Sequence, residues 1–373
     1  MEKKTLIIGG GVIIGVLILL LVFVWLLSIL KPHYYSYFEA EELISKATNK
    51  YFKEHADQLP VQDGKTPFYY DTLVEGKYIK PLNKVLKDGD NCGVDIFVDK
   101  SGNNYDYITK LNCGESYQTR EFYAQVLQDQ DVVTVGSGLY ADTNGKGYYF
   151  RGKIDNNYVI FGSKKVRKET INQVWRIMGI DENNNVKLRA TFSTDSVKWD
   201  DRYNQEKGGY TGYNNFEESV MKDYLRNLES DNSILDEILV NKLVAKPLCV
   251  GERSKTDATT DGSVECALMS TENYKFGTIT PYEYMRASLD ENCNSLNNRS
   301  CSNFNYLSEY LEKAEWTLTP VVDTTEQLYV FSGRSFQTDT ARDKHPIYLT
   351  INLGPYVYYR SGNGTASDPY IIR

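Results

Sequence analysis

Histidine, closely spaced cysteine and concentrated positive charge are scarce in this sequence of 373 residues. It has three histidines and no CxxC pair, so it lacks the ligand spacing typical of structural zinc sites. Acidic residues outnumber basic ones, 50 to 42, which gives a net charge of −8. Because no basic block stands out to contact phosphates, we expect no nucleic-acid partner. We also expect neither a metal nor a cofactor.

Signatures of known enzymes are missing as well. The sequence has no GxSxG motif, and none of its histidines, His33, His55 and His345, stands beside a nucleophile in a recognisable local pattern. It also lacks the close C-terminal cysteine pair of formylglycine-generating enzymes and the TLxTC strand of sortases. The sequence therefore predicts a protein without catalytic activity.

A long apolar run opens the chain, since Thr5 to Leu30 contains no charged residue. As a helix, this run exceeds the roughly 30 Å hydrocarbon core of a bilayer, and it is too long for a cleaved signal peptide. It predicts an uncleaved signal anchor at 5–30 that spans the membrane once. Two lysines precede the run and one follows it, so the positive-inside rule predicts a cytoplasmic tip at 1–4.

The predicted location is therefore the cell membrane, with a single pass, a cytoplasmic N-terminus and the bulk of the chain extracellular. Gly11 and Gly15 have the small-xxx-small spacing at which two membrane helices approach closely. Two interpretations stay open: helix–helix association through these residues, or the ordinary frequency of glycine in membrane helices.

All six cysteines follow the apolar run and form three local pairs. An even number at short spacings indicates disulfides in an oxidising compartment. The stretch DIFVDKSGNNYDYITKLNC predicts a hairpin that turns at Gly102–Asn103 and brings its flanking cysteines opposite each other, at the short Cα separation a bridge needs. We predict three bridges: Cys92–Cys113, Cys249–Cys266 and Cys293–Cys301.

The part of the chain after the apolar run is too long for one hydrophobic core, so we expect two domains. Helical spacing of apolar residues first indicates an amphipathic helix: Ala40, Leu43, Ile44, Ala47 and Tyr51. A membrane helix, an amphipathic helix and a small disulfide-closed sheet together resemble type IV pilins and pseudopilins over residues 6–115. The prepilin cleavage motif is absent from MEKKTLIIGGG. The resemblance implies a pilin-like domain at 31–132.

A second resemblance covers residues 146–373 and follows a predicted linker at 133–147, VTVGSGLYADTNGKG. In this part the capping box TPYE predicts the start of a helix, PYEYMRASL. A set of segments in this order resembles bacterial surface domains with a C-type-lectin-like fold: YVIFGSKKVRKETINQVWRIMGI, GTITPYEYMRASL, EWTLTP, YVFSG, HPIYLTINL and GNGTASDPYII. The resemblance implies a mixed α+β domain at 148–373, whose first and last strands pair and whose long loops carry recognition.

The predicted fold class is thus α+β: a transmembrane helix extended into a pilin-like helix with a small antiparallel sheet, then a C-type-lectin-like domain. Sugar-binding members of the lectin-like fold hold calcium with Glu-Pro-Asn or Gln-Pro-Asp and a late Trp-Asn-Asp. None of these motifs occurs in this chain. The acidic stretch from Asp99 to Asp106 is typical of a hairpin turn rather than a calcium loop.

The tryptophans are the remaining candidates for a binding site. Trp175 and Trp316 stand in apolar, strand-like runs and are expected in the core. Trp199 stands between charges in DSVKWDDRYN, so it is either a core residue or an exposed platform on which a ligand stacks. We take Trp199 as the candidate ligand-binding residue.

Two functions from different classes remain open. The first is a membrane-anchored extracellular binding or adhesion protein, without catalytic activity, whose ligand is a glycan or a surface protein. The second is a minor pseudopilin-like subunit of an envelope fibre or secretion assembly.

Overall fold

The computed structural model describes residues 34–143, 145–290, 296, 305–309, 313–333 and 335–372. The chain divides into two units, of which the first ends at Thr119 and the second spans Arg120–Arg373. The boundary therefore comes earlier than the sequence predicted. Residues 120–147, predicted as the end of the first domain and a linker, belong to the second unit.

The first unit is a helix packed on a small sheet. Its helices are α1 Tyr37–Glu54, α2 Tyr70–Glu75 and α3 Leu82–Val85, and its strands are β1 Gly64–Phe68, β2 Gly93–Ser101 and β3 Asn104–Asn112. The three strands are antiparallel in the order β1-β2-β3. A capping box starts α1: Ser36 Oγ accepts from the Glu39 N–H at 3.3 Å, and Glu39 Oε2 accepts from the Ser36 N–H at 2.9 Å.

The β2–β3 hairpin has the register that the sequence predicted. Gly93 pairs with Asn112 and Ser101 with Asn104, and Gly102 makes the turn with a φ of 57°. One residue beyond the open end, Cys92 and Cys113 form a disulfide. The bridge closes the hairpin beside the buried face of α1, whose predicted apolar positions Ala40 and Ile44 are fully buried.

The second unit has four α-helices and sixteen strands among its described residues. The helices are α4 Phe122–Asp129, α5 Val220–Asn227, α6 Glu237–Val240 and α7 Pro281–Ala287. The strands are β4 Gly138–Ala141, β5 Tyr148–Arg151, β6 Tyr158–Val166, β7 Glu169–Ile180, β8 Val186–Ala190, β9 Val197–Lys198, β10 Lys246–Cys249, β11 Met269–Tyr274, β12 Phe276–Gly277, β13 Glu315–Pro320, β14 Gln327–Phe331, β15 Phe336–Thr340, β16 Lys344–His345, β17 Thr350–Leu353, β18 Tyr359–Ser361 and β19 Tyr370–Ile372.

A sheet of nine strands organises this unit. Seven follow the order β12-β17-β8-β7-β6-β19-β18, and β5 joins β7 and carries β4. The final strand, β19, pairs in parallel with β6 and not with β5, the first strand of the predicted domain at 148–373. Smaller sheets are β10-β11, β13-β14-β15 and β9-β16.

The core of the second unit contains the two tryptophans that were expected there. Trp175 and Trp316 are fully buried. Each indole N–H donates to a backbone carbonyl, Trp175 to Phe161 at 2.8 Å and Trp316 to Val197 at 2.9 Å. Both large rings are therefore buried without an unpaired donor.

The predicted fold class is wrong, because the described chain is mostly sheet: nineteen strands in five sheets, against seven α-helices of which most are short. The segment SILDEILVNKLV, predicted as a helix, forms a single turn, Glu237–Val240. Tertiary pairing explains why this helix is shorter than predicted, since Leu243 leaves it to form an isolated bridge with Leu353 of β17.

The predicted transmembrane anchor and single-pass location are corrected as well. None of the helices that the structure describes combines the length and the apolar character needed to cross a bilayer. The segments on which those predictions depended, 1–4 and 5–30 with Gly11 and Gly15, lie outside the described residues.

Candidate functional site

A cleft of about 360 Å³ lies in the second unit, at the end of β7 that leads into the β7–β8 turn. It is bounded by β5, β8, β10, β12 and α7, and we call it the tyrosine cleft. Its lining includes aromatic rings and charged groups of both signs: Asp142, Tyr148, Tyr149, Asp181, Lys187, Lys246, Tyr274, Lys275, Tyr282, Glu283 and Arg286. Its volume lies within the range that small-molecule ligands occupy in proteins.

Helix α7 places Glu283 in the cleft. The TPYE motif forms the predicted capping box, in which Glu283 Oε2 accepts from the Thr280 N–H at 3.1 Å and from Thr280 Oγ1 at 2.9 Å. The other carboxylate oxygen accepts from Lys187 Nζ of β8. Burial raises the pKa of Glu283, but the charge and hydrogen bond of Lys187 and the two bonds from Thr280 outweigh it, so the pKa lies below its ordinary value.

A second pair faces the cleft from the β7–β8 turn. Asp181 accepts from the backbone N–H groups of Asn183 and Asn185 at 2.8 and 2.9 Å, which fixes the turn. Its other oxygen accepts from Lys246 Nζ of β10. Burial raises the pKa of Asp181, and the bonds from Lys246 and Asn185 lower it by more, so this carboxyl is also held below its ordinary pKa.

Tyrosine rings and Arg286 form another side of the cleft. The Arg286 guanidinium lies 4.3 Å from the ring centre of Tyr149 and 5.6 Å from that of Tyr282. Its Nη1 is 3.5 Å from Asp142 Oδ2. Cation–π contacts of this kind hold the guanidinium beside the rings and leave part of its hydrogen-bonding edge for other groups.

A buried ion pair holds α7 against the loop that precedes it. Arg253 and Glu265 are both fully buried, and Arg253 Nη1 donates to Glu265 Oε1 at 2.7 Å. The same oxygen accepts from the Tyr282 N–H in the first turn of α7 at 3.0 Å. Next to Glu265, Cys266 is bridged to Cys249 of β10. Two sides of the cleft, β10 and α7, are therefore joined through this pair and this disulfide.

Two of the three predicted disulfides form, Cys92–Cys113 and Cys249–Cys266. The third predicted pair, Cys293 and Cys301, lies outside the described residues. Of the two described bridges, Cys249–Cys266 belongs to the tyrosine cleft, because Cys249 lines it.

The interpretation of Trp199 as a ligand platform is corrected. Its side chain is fully buried, and its ring packs edge-on against Phe216 at 6.3 Å between centres. The neighbouring charges misled the sequence analysis, because Asp200 is itself buried, where it accepts from Arg202 and from the Tyr213 N–H. A charge next to a tryptophan therefore does not show that the ring is exposed.

The described histidines lie away from the cleft. His345 Nε2 is 2.8 Å from Asp339 Oδ2, and its ring meets Trp316 edge-on at 4.6 Å. His55 stacks on Tyr51 in the first unit at 4.3 Å. Within the described ranges, no group of three or more His, Cys, Asp or Glu side chains is arranged to hold a metal ion.

Sequence reasoning missed the tyrosine cleft as a site. The capping box of α7 was visible, and so was the turn DENNN that contains Asp181, but the cleft joins residues from 142 to 352 along the chain. Only the pairing of β5, β8 and β17 into one sheet brings these segments together.

Comparison of this chain with protein-family models, with curated proteins and with solved structures gives no match. The resemblances to pilins and to lectin-like surface domains therefore stay predictions. Function has to be inferred from the chemistry of the residues that line the cleft.

Proposed function

We propose that this chain is a non-catalytic binding protein and that the tyrosine cleft holds a glycan. The observation that carries the proposal is the lining of the cleft, which combines tyrosine rings with three cation–carboxylate pairs, Lys187–Glu283, Lys246–Asp181 and Arg286–Asp142. Within each pair the positive and negative charges neutralise one another, so the cleft favours a ligand that is polar but carries no strong charge.

Sugars match this lining chemically. A pyranose ring has an apolar C–H face that packs on an aromatic ring, and Tyr148 provides such a ring. The rings of Tyr149 and Tyr282 already hold Arg286. Sugar hydroxyls both donate and accept hydrogen bonds. Carboxylate oxygens accept from them, and ammonium and guanidinium groups donate to them, so each ion pair offers both partners at once.

The charge state of the carboxylates supports binding rather than hydrolysis. A glycoside hydrolase needs one carboxylic acid whose pKa is raised so that it carries a proton at working pH. Glu283 and Asp181 both have lowered pKa values, and each is bound by a lysine. Both are ionised near neutral pH, so neither is a suitable proton donor.

A second candidate function, a subunit of a protein assembly, is favoured by a groove of about 560 Å³ in the first unit. Tyr69 in this groove is 76% exposed. Its lining includes Asp71, Asp90 and Asp95, and neither lysine nor arginine is among the lining residues described. The fitting partner is a positively charged protein segment.

Cross-linking from Lys80 and Lys84 should then capture one partner protein, and the absence of such cross-links would count against this candidate.

The glycan proposal is tested by titrating the full chain with short neutral oligosaccharides and measuring the heat of binding. Replacing Tyr148 with alanine should weaken binding by about tenfold, or about 1.4 kcal/mol, because a stacking ring of the cleft is lost. The matched control is Tyr210→Ala, which removes a ring that is 60% exposed and lies outside the cleft. Equal affinity in both variants, or no binding across the panel, would contradict the proposal.

A further inference from the structure

The turn end of the β6–β7 hairpin extends beyond the sheet. Residues 163–172 are all exposed, and the register of β6 and β7 shifts between Ile160 and Ser163. Gly162 lies at this shift with a φ of 87°, and a Cβ there would come within 2.5 Å of Gln173 Oε1. The bulge therefore requires glycine, and such bulges bend a strand and increase its twist. We call residues 162–172 the basic hairpin.

Positive charge is concentrated in the basic hairpin. It contains Lys164, Lys165, Arg167 and Lys168 against a single acidic residue, Glu169, in a chain whose net charge is −8. None of the four cations forms an ion pair with another residue in the part of the chain that the structure describes. The run KKVRK is therefore a basic block, although the sequence was expected to contain none. An unpaired, exposed set of cations of this kind attracts anions.

The distribution of the charges favours a flexible polymer over a flat surface. Lys164 lies opposite Ile171 on one face of the hairpin, and Lys165 lies opposite Thr170 on the other face. Arg167 and Lys168 form the turn at the tip. A planar bilayer would meet only the tip, whereas a linear polyanion can wrap around the hairpin and contact cations on both faces.

The exposed apolar residues agree with a polymer that lies along the hairpin. Val166 and Ile171 are 44% and 49% exposed; Val166 adjoins the turn and Ile171 lies farther along the same face, so the two extend down the hairpin. The basic hairpin contains no aromatic residue on which a base could stack, as proteins that bind single-stranded nucleic acid provide. Acidic polysaccharides need no such stacking.

We propose that the basic hairpin is a second binding site, and that its ligand is an acidic polysaccharide bearing carboxylate or sulfate groups. The site is separate from the tyrosine cleft. Ile171 and Gly179 lie on the same strand, β7, at a distance of about 25 to 30 Å at the usual rise of a strand. The cleft lies at the Gly179 end, so both sites can be occupied at once, and this proposal does not depend on the glycan proposal for the cleft.

The test compares the full chain with a variant in which all four cations are removed: Lys164→Gln, Lys165→Gln, Arg167→Asn and Lys168→Gln. Asparagine suits position 167, because Arg167 has a φ of 58°. Heparin and polygalacturonate are the polyanionic probes, and dextran is the neutral one. At about 0.1 M salt, binding of the parent chain to both polyanions should fall steeply as salt rises, and the variant should bind at least about tenfold more weakly.

The matched control removes four exposed lysines of the first unit: Lys77, Lys80, Lys84 and Lys87. It changes the net charge by the same amount, so it should retain the affinity of the parent chain. An equal loss in the control would show that net charge alone is responsible and would overturn the proposal. Stronger binding to duplex DNA or to anionic lipid vesicles, or polysaccharide binding that survives in the hairpin variant, would overturn it too. Binding of neutral oligosaccharides in the cleft should stay unchanged in the variant, which separates the two sites.

Discussion

Replacing Arg253 with methionine should lower the free energy of unfolding of the second unit by about 3–5 kcal/mol, the usual effect of breaking a buried ion pair. The variant leaves the Glu265 carboxylate fully buried, with the Tyr282 N–H as its described donor. It also removes the bonds from Arg253 to the carbonyls of Asp257 and Thr259. The loop before α7 thus loses these hydrogen bonds, and Glu265 loses the positive charge that balances it.

Denaturant unfolding followed by tryptophan fluorescence measures this effect, since three of the four tryptophans are buried in the second unit. Adding Glu265→Gln to the variant should recover most of the loss, because a neutral amide still accepts from the Tyr282 N–H and leaves no buried charge. The control is Lys46→Met in an exposed pair with Glu42, with side chains 69% and 48% exposed, for which a change below about 0.5 kcal/mol is expected. A double variant as unstable as the single one would contradict the buried-charge explanation.

The pH dependence gives a second check on the same variant. Burial raises the pKa of Glu265 above its ordinary value of 4.5, although Arg253 opposes the shift. A carboxyl with a raised folded-state pKa favours the folded state at low pH, and this contribution is lost as the pH rises through that pKa. Without Arg253, the pKa of Glu265 rises further. The gap in stability between parent and variant should therefore narrow as the pH falls toward 4.5, and a gap that stays constant would show that the charge of Glu265 is not the cause.

Removing the Cys92–Cys113 bridge with two alanines should destabilise the first unit by about 3 kcal/mol, the loop-entropy contribution for a closed loop of this size. The cysteines are 21 residues apart and close the open end of the β2–β3 hairpin. Hydrogen–deuterium exchange of the amides in β2 and β3 measures the effect, because the first unit has no tryptophan among its described residues.

The control for this prediction is the other bridge. Replacing Cys249 and Cys266 with alanine should shift the fluorescence-detected unfolding of the second unit and leave exchange in β2 and β3 unchanged, since the bridge lies in the other unit. Unchanged exchange in the Cys92→Ala/Cys113→Ala variant would show that strand pairing alone holds the hairpin closed.

Features encoded by neighbouring residues could be predicted from the sequence. The hairpin register around Gly102, the capping box at Thr280 and the burial of Trp175 each depend on residues close together in the chain. Turn chemistry, capping and apolar alternation act over this range, so a single sequence reveals them.

Features that depend on distant residues could not be predicted. Trp199 packs against Phe216, and the neighbouring Asp200 is buried where it accepts from the Tyr213 N–H, so the adjacent charges did not indicate exposure. The predicted linker contains β4, which belongs to the second unit because it pairs with β5. The tyrosine cleft exists only once β5, β8, β10 and α7 are brought together, and no local pattern encodes that arrangement.

The most direct test of the central claim is hydrogen–deuterium exchange of the full chain with and without the best-binding neutral oligosaccharide. If the tyrosine cleft is the binding site, protection should appear in β5, in β10 and in the first turn of α7, and exchange in the basic hairpin should not change. Binding accompanied by protection elsewhere, with none in these three segments, would contradict the account.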